Sequence, residues 1–152
     1  MERRDFINHG FTLPFLPVGQ RFQQDPVIRE QIVVERAVAG QPHKGKVLAV
    51  IQPHCDDVSL FAAGTVAKLV KEGYERYPIR TTNDDHAGRG ETVGDVIKNN
   101  DEDNRAVARA LGLKKVFDLG YRNHMMDNYS MQDIRGRLIF LFRLLKVDTI
   151  IT

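Results

Sequence analysis

The stretch that decides the fold is VLAVIQPHCDD, residues 47–57. Its first five residues form a short continuous apolar run, which is typical of a strand buried on both faces of a parallel sheet. A proline and a polar turn follow at once. Residues 58–72 then carry apolar side chains at helical spacing, and Gly73 is placed to end that helix. The stretch therefore predicts a buried strand, a tight turn and a helix, which together begin an α/β fold.

The same alternation continues along the chain. Further strands are predicted at residues 77–82, 115–119 and 148–152, and further helices at 92–111 and 131–146. This order predicts a Rossmann-like parallel sheet with right-handed crossovers and helices on both faces. Ligands of such sheets bind at the carboxyl ends of the strands. We therefore expect the functional residues in the loops that follow the strands.

The first part of the chain differs from the rest. Four prolines interrupt residues 1–45, and only residues 26–39 suggest a helix, so we interpret 1–45 as an N-terminal extension and 46–152 as the folded domain. Arg3 and Arg4, followed by Phe6 and Ile7, resemble a degenerate twin-arginine export signal. The next apolar stretch contains two prolines and no clear cleavage site. We favour an incidental arginine pair and a cytoplasmic protein, with export as the alternative.

Composition excludes several classes of protein. The chain has 152 residues, of which 42% are hydrophobic and 28% charged, as in a single globular domain. Its formal net charge of +2 is too small, and its charges too interspersed, to predict nucleic acid or an anionic membrane as a partner. No apolar run approaches the ~20 residues of a membrane span. The single cysteine cannot form an internal disulfide, so the cysteine count leaves the compartment open.

The turn after the first predicted strand carries the residues best suited to chemistry. His54 and Asp57 can point at one cation, and both residue types are normal zinc ligands. Asp56 lies between them, close to such a metal but outside its coordination sphere, where a general base is expected. The alternative is that Asp56 or Asp57 caps the following helix, and the spacing alone does not decide between the two. We interpret Cys55 as a small side chain that fits the turn, and not as a ligand or nucleophile.

Polar side chains also follow the second and third predicted strands. Asn83 and Asp84 are candidates for substrate binding, with ordinary turn chemistry as the alternative. Arg122 and His124 follow the third predicted strand, at the same predicted edge of the sheet as His54, and are also candidates for substrate binding. The alternative for His124 is a solvated surface residue, which is the commonest state of a histidine in a polar loop.

Two asparagines, Asn100 and Asn104, interrupt the apolar face of the second predicted helix. A buried asparagine must find hydrogen-bond partners. The favoured interpretation is that the two amides bind loop backbone, and the alternative is that they line the pocket.

Taken in order, residues 46–152 resemble the PIG-L or LmbE-like family of N-acetylglucosaminyl deacetylases. The resemblance is carried by the strand with its Pro-His-x-Asp-Asp turn, Ala63-Gly64-Thr65, the strand end 80–84, the Leu-Gly turn at 110–113 and the segment 118–123. The position x of the motif, directly after the histidine, is Cys55, where the family usually has proline.

The resemblance implies a zinc-dependent hydrolase that removes an acetyl group from an N-acetylated amino sugar. By position in the motif, His54 and Asp57 would be the metal ligands and Asp56 the general base. Another divalent ion could occupy the same donors. The implied partner is a small amino-sugar substrate.

The family's third metal ligand is a histidine in a segment after the fourth strand, where this chain stops. We therefore expect an incomplete domain, truncated after the fourth strand, with a strand edge open to oligomerisation. His86, His124 or another chain would then have to complete the metal site. The alternatives are an inactive module that binds metal or glycan weakly, and a metal-free Rossmann-like module for small molecules.

Overall fold

The computed structural model describes Arg36 and residues 38–152. The chain divides into two units, Met1–Arg36 and Ala37–Thr152, and every element below belongs to the second. The arginine pair near the N-terminus, nearly all of the helix expected at 26–39 and most of the predicted extension lie outside the described residues. Residues 38–46 form bends and turns. No helix within the described part combines the length and apolar character needed to cross a bilayer.

The described chain alternates strands and helices as the sequence predicts. The regular elements are β1 (Val47–Gln52), α1 (Ala63–Lys71), β2 (Glu75–Thr82), α2 (Val93–Ala110), β3 (Phe117–Tyr121), α3 (Met131–Leu145) and β4 (Thr149–Ile151). A short 3-10 turn, Met126–Asn128, precedes α3. The helix expected at 58–72 is interrupted, because its first five residues, Val58–Ala62, form a π-helical turn before α1 begins.

The four strands form one parallel sheet in the order β3-β2-β1-β4, which confirms the α/β, Rossmann-like fold class. The last pair of the β1–β2 ladder is Gln52 and Arg80, and the last pair of the β2–β3 ladder is Thr82 and Tyr121. The carboxyl ends of these three strands therefore meet at one edge of the sheet, and so do the loops that follow them.

Helices cover both faces of the sheet. Leu48 and Val50 of β1 pack against Val66 of α1 on one face, while Ala49 packs with Ile79 and Leu141, the latter from α3, on the other. Successive residues of a strand point to opposite faces, so the continuous apolar run of β1 supplies both halves of the core.

β3 is displaced from its predicted position. The strand was expected at residues 115–119 and is found at Phe117–Tyr121, because Gly120 adopts a left-handed φ of 71° inside the strand and the register with β2 shifts there. A bulge of this kind lets a strand continue through a glycine that would otherwise indicate a turn. Beyond the bulge, Tyr121 pairs with Thr82 of β2, and Arg122 and Asn123 follow at the carboxyl edge of the sheet.

Candidate metal-binding and catalytic site

The polar turn after β1 is folded back on itself by Asp57. Its Oδ2 accepts a hydrogen bond of 2.7 Å from the backbone N–H of His54. Asp57 stands at the start of the π-helical turn but makes no side-chain capping bond there. Helix capping therefore does not account for Asp57, and its carboxylate faces the imidazole of His54 instead.

His54 and Asp57 are placed to share one cation. Nδ1 of His54 lies 3.3 Å from Oδ2 of Asp57, and both side chains are partly exposed. In a tetrahedral zinc site with ligand bonds of about 2.0–2.1 Å, two ligand atoms lie about 3.3 Å apart. The donor types and their separation therefore fit zinc.

A third protein ligand is not assembled here. Within residues 38–152, no three side chains of His, Cys, Asp or Glu converge closely enough to hold a metal ion. The ring centres of His124 and His54 are 6.4 Å apart, and those of His86 and His124 are 6.3 Å apart. In this structure the two suggested substitutes, His86 and His124, therefore do not complete the site.

Asp56 lines a cavity of about 280 Å³ at the carboxyl edge of the sheet. The cavity lies over the β1 turn and is bordered by the loops after β2 and β3. Its walls include His54, Asp84, Asn123 and His124, and Asp56 itself is exposed. The structure therefore brings the predicted base, one predicted metal ligand and two of the predicted substrate-binding residues around one space.

Asp84 is buried beneath this cavity. Its Oδ2 accepts hydrogen bonds from the backbone N–H of Cys55 at 3.0 Å and from Nη1 of Arg80 at 3.2 Å, and its Oδ1 accepts one from Thr82 at 3.1 Å. Its φ of 55° is left-handed, a conformation that aspartate tolerates better than most residues. Asp84 therefore holds the β1 turn from below, a role that the sequence does not indicate.

Arg80 is the counter-charge in this region. Its guanidinium is 2% exposed and contacts Asp84, Asp101 and Asp118, the last at 2.7 Å. Burial opposes its charge, but hydrogen bonding to Asp101 and the nearby carboxylates outweigh burial and raise the pKa of Arg80 above its ordinary value. The arginine therefore stays charged and fixes the carboxyl end of β2.

The loops after β2 and β3 are joined by Asp85. Its carboxylate accepts hydrogen bonds from Arg122 at 2.8 Å and from the backbone N–H of Asn123 at 2.9 Å, and it contacts His86 at 2.9 Å. Burial alone would raise the pKa of Asp85, but these partners lower it well below its usual range. The guanidinium of Arg122 is thus occupied by Asp85. Asn83 makes a turn contact, since its Oδ1 accepts a 3.2 Å bond from the N–H of Asp85.

The asparagines of α2 divide between two kinds of partner. The Nδ2 of Asn100 donates to the backbone oxygens of Asp84 and Ala87 at 3.0 and 2.6 Å, as the favoured interpretation expects. Asn100 also lines the cavity, as the alternative expects. The Oδ1 of Asn104 accepts a bond from the side chain of Gln52 at 2.8 Å. Asn100 therefore fixes the loop after β2, while Asn104 anchors α2 to β1.

Cys55 is a protonated thiol at neutral pH. Burial, followed by the nearby charge of Asp84, raises its pKa to about 11. A thiol in this state is a poor nucleophile, which agrees with the interpretation that Cys55 is not a nucleophile.

Asn123 is the site residue that sequence reasoning missed. It is 1% exposed, and its Oδ1 lies 2.9 Å from Nε2 of His54. The two residues are 69 positions apart, and they meet only because β3 pairs with β2 and β2 with β1. The sequence signal was its position directly after a strand of the sheet, beside the candidates Arg122 and His124.

Comparison with known proteins identifies the family of this chain. Residues 49–152 match the family model described as PIG-L: GlcNAc-PI de-N-acetylase. No curated protein matches the chain at a significant level. Among solved structures, the N,N'-diacetylchitobiose deacetylase from Pyrococcus horikoshii is 27% identical with a TM-score of 0.63, and the match covers 69% of this chain and 39% of that one.

Two further structures share the fold at lower identity. A 4-carboxy-2-hydroxymuconate hydratase from Pseudomonas putida is 21% identical with a TM-score of 0.61, covering 69% of this chain and 45% of that one. A conserved protein from Thermus thermophilus is 23% identical with a TM-score of 0.57, covering 68% and 44%. The chain thus spans less than half the length of these three structures. The family match extends over more than half of the chain, and the chain belongs to the PIG-L family.

Proposed function

We propose that residues 46–152 carry the catalytic turn of a metal-dependent N-acetylglucosaminyl deacetylase, which removes the acetyl group from an N-acetylated amino sugar. Family membership and the similarity to a chitobiose deacetylase support this proposal. The observation that carries it is the 3.3 Å separation between His54 Nδ1 and Asp57 Oδ2, beside a cavity that Asp56 lines.

His54 and Asp57 would hold the metal ion. Zinc bound there would polarise the amide carbonyl of the substrate and make water more acidic. Another divalent ion that accepts nitrogen and oxygen donors would suit the same pair. The side chain of Asp57 is already fixed by the N–H of His54, so little ordering is required when the ion binds.

Asp56 would act as the general base and then as the general acid. Its carboxylate accepts a proton from the attacking water, whose oxygen forms the new bond to the carbonyl carbon. The same proton then passes to the amine nitrogen as the carbon–nitrogen bond breaks, which leaves acetate and the free amino sugar. Asp56 is exposed and lines the cavity, where the water and the amide of the substrate would lie.

The remaining candidates have different roles in this proposal. His124 lines the cavity and would contact the substrate directly. Arg122 and Asn83 would shape the rim through their bonds to Asp85, and Asp84 would hold the turn in place. The cavity, at about 280 Å³, is near the lower end of ligand-pocket sizes, roughly 300 Å³, and is suited to an acetamido group with part of a sugar ring.

Acetate release from N-acetylglucosamine and from N,N'-diacetylchitobiose, measured with zinc present, tests the proposal. We expect the unmodified chain to release acetate and Asp56→Asn to be slower by a factor of about 10² or more, because proton transfer by a general base contributes about 10²–10⁴. Glu102→Gln makes the same change of charge at an exposed site on α2 and should keep the rate. Normal turnover by Asp56→Asn would contradict the role of Asp56. A zinc-loaded chain that releases no acetate would favour the alternative of an inactive binding module.

A further inference from the structure

His54 contacts a buried asparagine on the side of its ring away from Asp57. Nε2 lies 2.9 Å from Oδ1 of Asn123, while Nδ1 faces Oδ2 of Asp57. A neutral imidazole has one nitrogen that donates a hydrogen bond and one that accepts, and the partner of one nitrogen decides the role of the other.

The atom of Asn123 that faces His54 is identified by a second donor. The backbone N–H of His124 donates to the same Oδ1 at 2.9 Å. Rotating the amide by 180° would put an NH₂ group against that N–H, two donors facing each other. The atom next to Nε2 is therefore an acceptor, and Nε2 must carry the hydrogen. In the neutral ring, Nδ1 then presents a lone pair toward Oδ2 of Asp57, so two acceptors face each other across 3.3 Å, an arrangement that a shared cation would stabilise.

In this orientation the other half of the amide has no partner. Nδ2 of Asn123 is buried and has no hydrogen-bond partner among the described residues, which costs about 1–3 kcal/mol for a typical buried donor. The backbone of Asn123 is also fixed, since its N–H donates to Asp85. The fold thus accepts an unpaired NH₂ group while keeping the amide oxygen against His54.

We propose that Asn123 is a positioning residue that selects the Nε2–H tautomer of His54 and so leaves Nδ1 free to bind a metal together with Asp57. The inference rests on the proposed function, because a metal ion is what Nδ1 is kept free for. Residues that bind the second nitrogen of a metal-ligating histidine fix both its tautomer and its ring orientation. Without Asn123, Nδ1–H can donate to Asp57 instead, and the ring then blocks its own coordinating atom.

Two variants separate this role from packing. Asn123→Asp keeps an acceptor oxygen of the same size, and Asn123→Leu has a similar volume but no acceptor. Tyr129→Phe is the control, because its hydroxyl accepts from the N–H of Arg122 in the same loop at 3.4 Å and the change leaves the contact with His54 intact.

The tautomer of His54 is read from long-range ¹H–¹⁵N spectra of the full metal-free chain at about pH 8.5, where an ordinary imidazole is neutral. The signals are assigned by their loss in His54→Gln. We expect Nε2–H in the unmodified chain, in Asn123→Asp and in Tyr129→Phe, and a change toward Nδ1–H in Asn123→Leu. Zinc affinity is measured by competition with a coloured chelator, with zinc as the only added ion. It should fall about 10–100-fold in Asn123→Leu and be equal to or higher than that of the unmodified chain in Asn123→Asp.

The unmodified chain can overturn the proposal by itself, even if Asn123→Leu does not fold. A proton on Nδ1 of His54 in the unmodified spectrum would do so. An Asn123→Leu protein that keeps both the Nε2–H tautomer and its zinc affinity would also do so. If the tautomer changes as expected but no form of the chain binds zinc, the role of Asn123 is supported and the proposed metal-dependent function is contradicted.

Discussion

The carboxylate of Asp84 accepts a 3.0 Å hydrogen bond from the backbone N–H of Cys55. This bond joins the loop after β2 to the turn after β1, which carries His54, Asp56 and Asp57. The same carboxylate oxygen binds Arg80, so the position of the candidate metal ligands depends on a buried ion pair between β2 and the loop that follows it.

Removing the charge of Asp84 should destabilise the domain. In Asp84→Asn, Arg80 keeps Asp101 and Asp118 as partners, so we expect a loss of about 2–3 kcal/mol, below most of the 3–5 kcal/mol range for a broken buried pair. Urea unfolding at neutral pH measures this loss. In the control Asp103→Asn, an exposed pair with Arg89 is lost, and the cost should be about 0.5 kcal/mol or less. Equal losses in the two variants would contradict the role of the buried pair.

The contribution of Asp85 to stability should depend on pH. The folded state lowers the pKa of this carboxyl through Arg122, His86 and the N–H of Asn123, which outweigh burial. The stabilisation is therefore complete above the unfolded-state pKa, about 3.9, and is lost as pH falls from there toward the lower pKa of the folded state. Unfolding free energies of the unmodified chain and of Asp85→Asn should differ most above about pH 5 and converge in acid. A difference that stays constant down to pH 3 would contradict this account.

Two glycine substitutions should have opposite effects. A Cβ at Gly88 would lie 2.7 Å from Oδ1 of Asn100, at a φ of +128°, and Asn100 cannot move without breaking its bonds to loop backbone. We expect Gly88→Ala to lose about 1–3 kcal/mol. A Cβ at Gly136 meets nothing within 4 Å in the interior of α3, and Gly136→Ala should gain about 0.5–1 kcal/mol. Thermal unfolding of both variants checks the signs, and a stabilised Gly88→Ala would contradict the packing described for that loop.

The sequence predicts the fold and the turn after β1 because both depend on local patterns. A continuous apolar run is typical of a strand buried on both faces, and the residues after such a strand must lie at the carboxyl edge of the sheet. The pair formed by His54 and Asp57 spans only three positions, so one tight turn suffices to bring the two side chains together.

The parts that could not be predicted depend on contacts between distant segments. Asn123 reaches His54 only after a bulge at Gly120 extends β3 by two residues, and glycine in a sequence indicates a turn as readily as a bulge. Arg80 lies at a strand end, and the three carboxylates that surround it come from separate segments of the chain. The spacing of neighbouring residues does not predict contacts of this kind.

The similarity to a hydratase as well as to a deacetylase shows that this fold alone does not determine the reaction. The reaction therefore depends on the side chains at the edge of the sheet, and the proposed metal-binding pair among them is His54 and Asp57.

Zinc affinity of the full chain, measured by competition with a coloured chelator, tests whether this pair binds the metal. We expect the unmodified chain, Asp56→Asn and Glu102→Gln to bind zinc alike, because none of these changes removes a proposed ligand. His54→Gln and Asp57→Asn should each bind at least about 10-fold more weakly, since the loss of a direct ligand should cost no less than the loss of a residue that only supports one. Equal zinc affinity in all five proteins would contradict the assignment of His54 and Asp57 as the metal-binding pair.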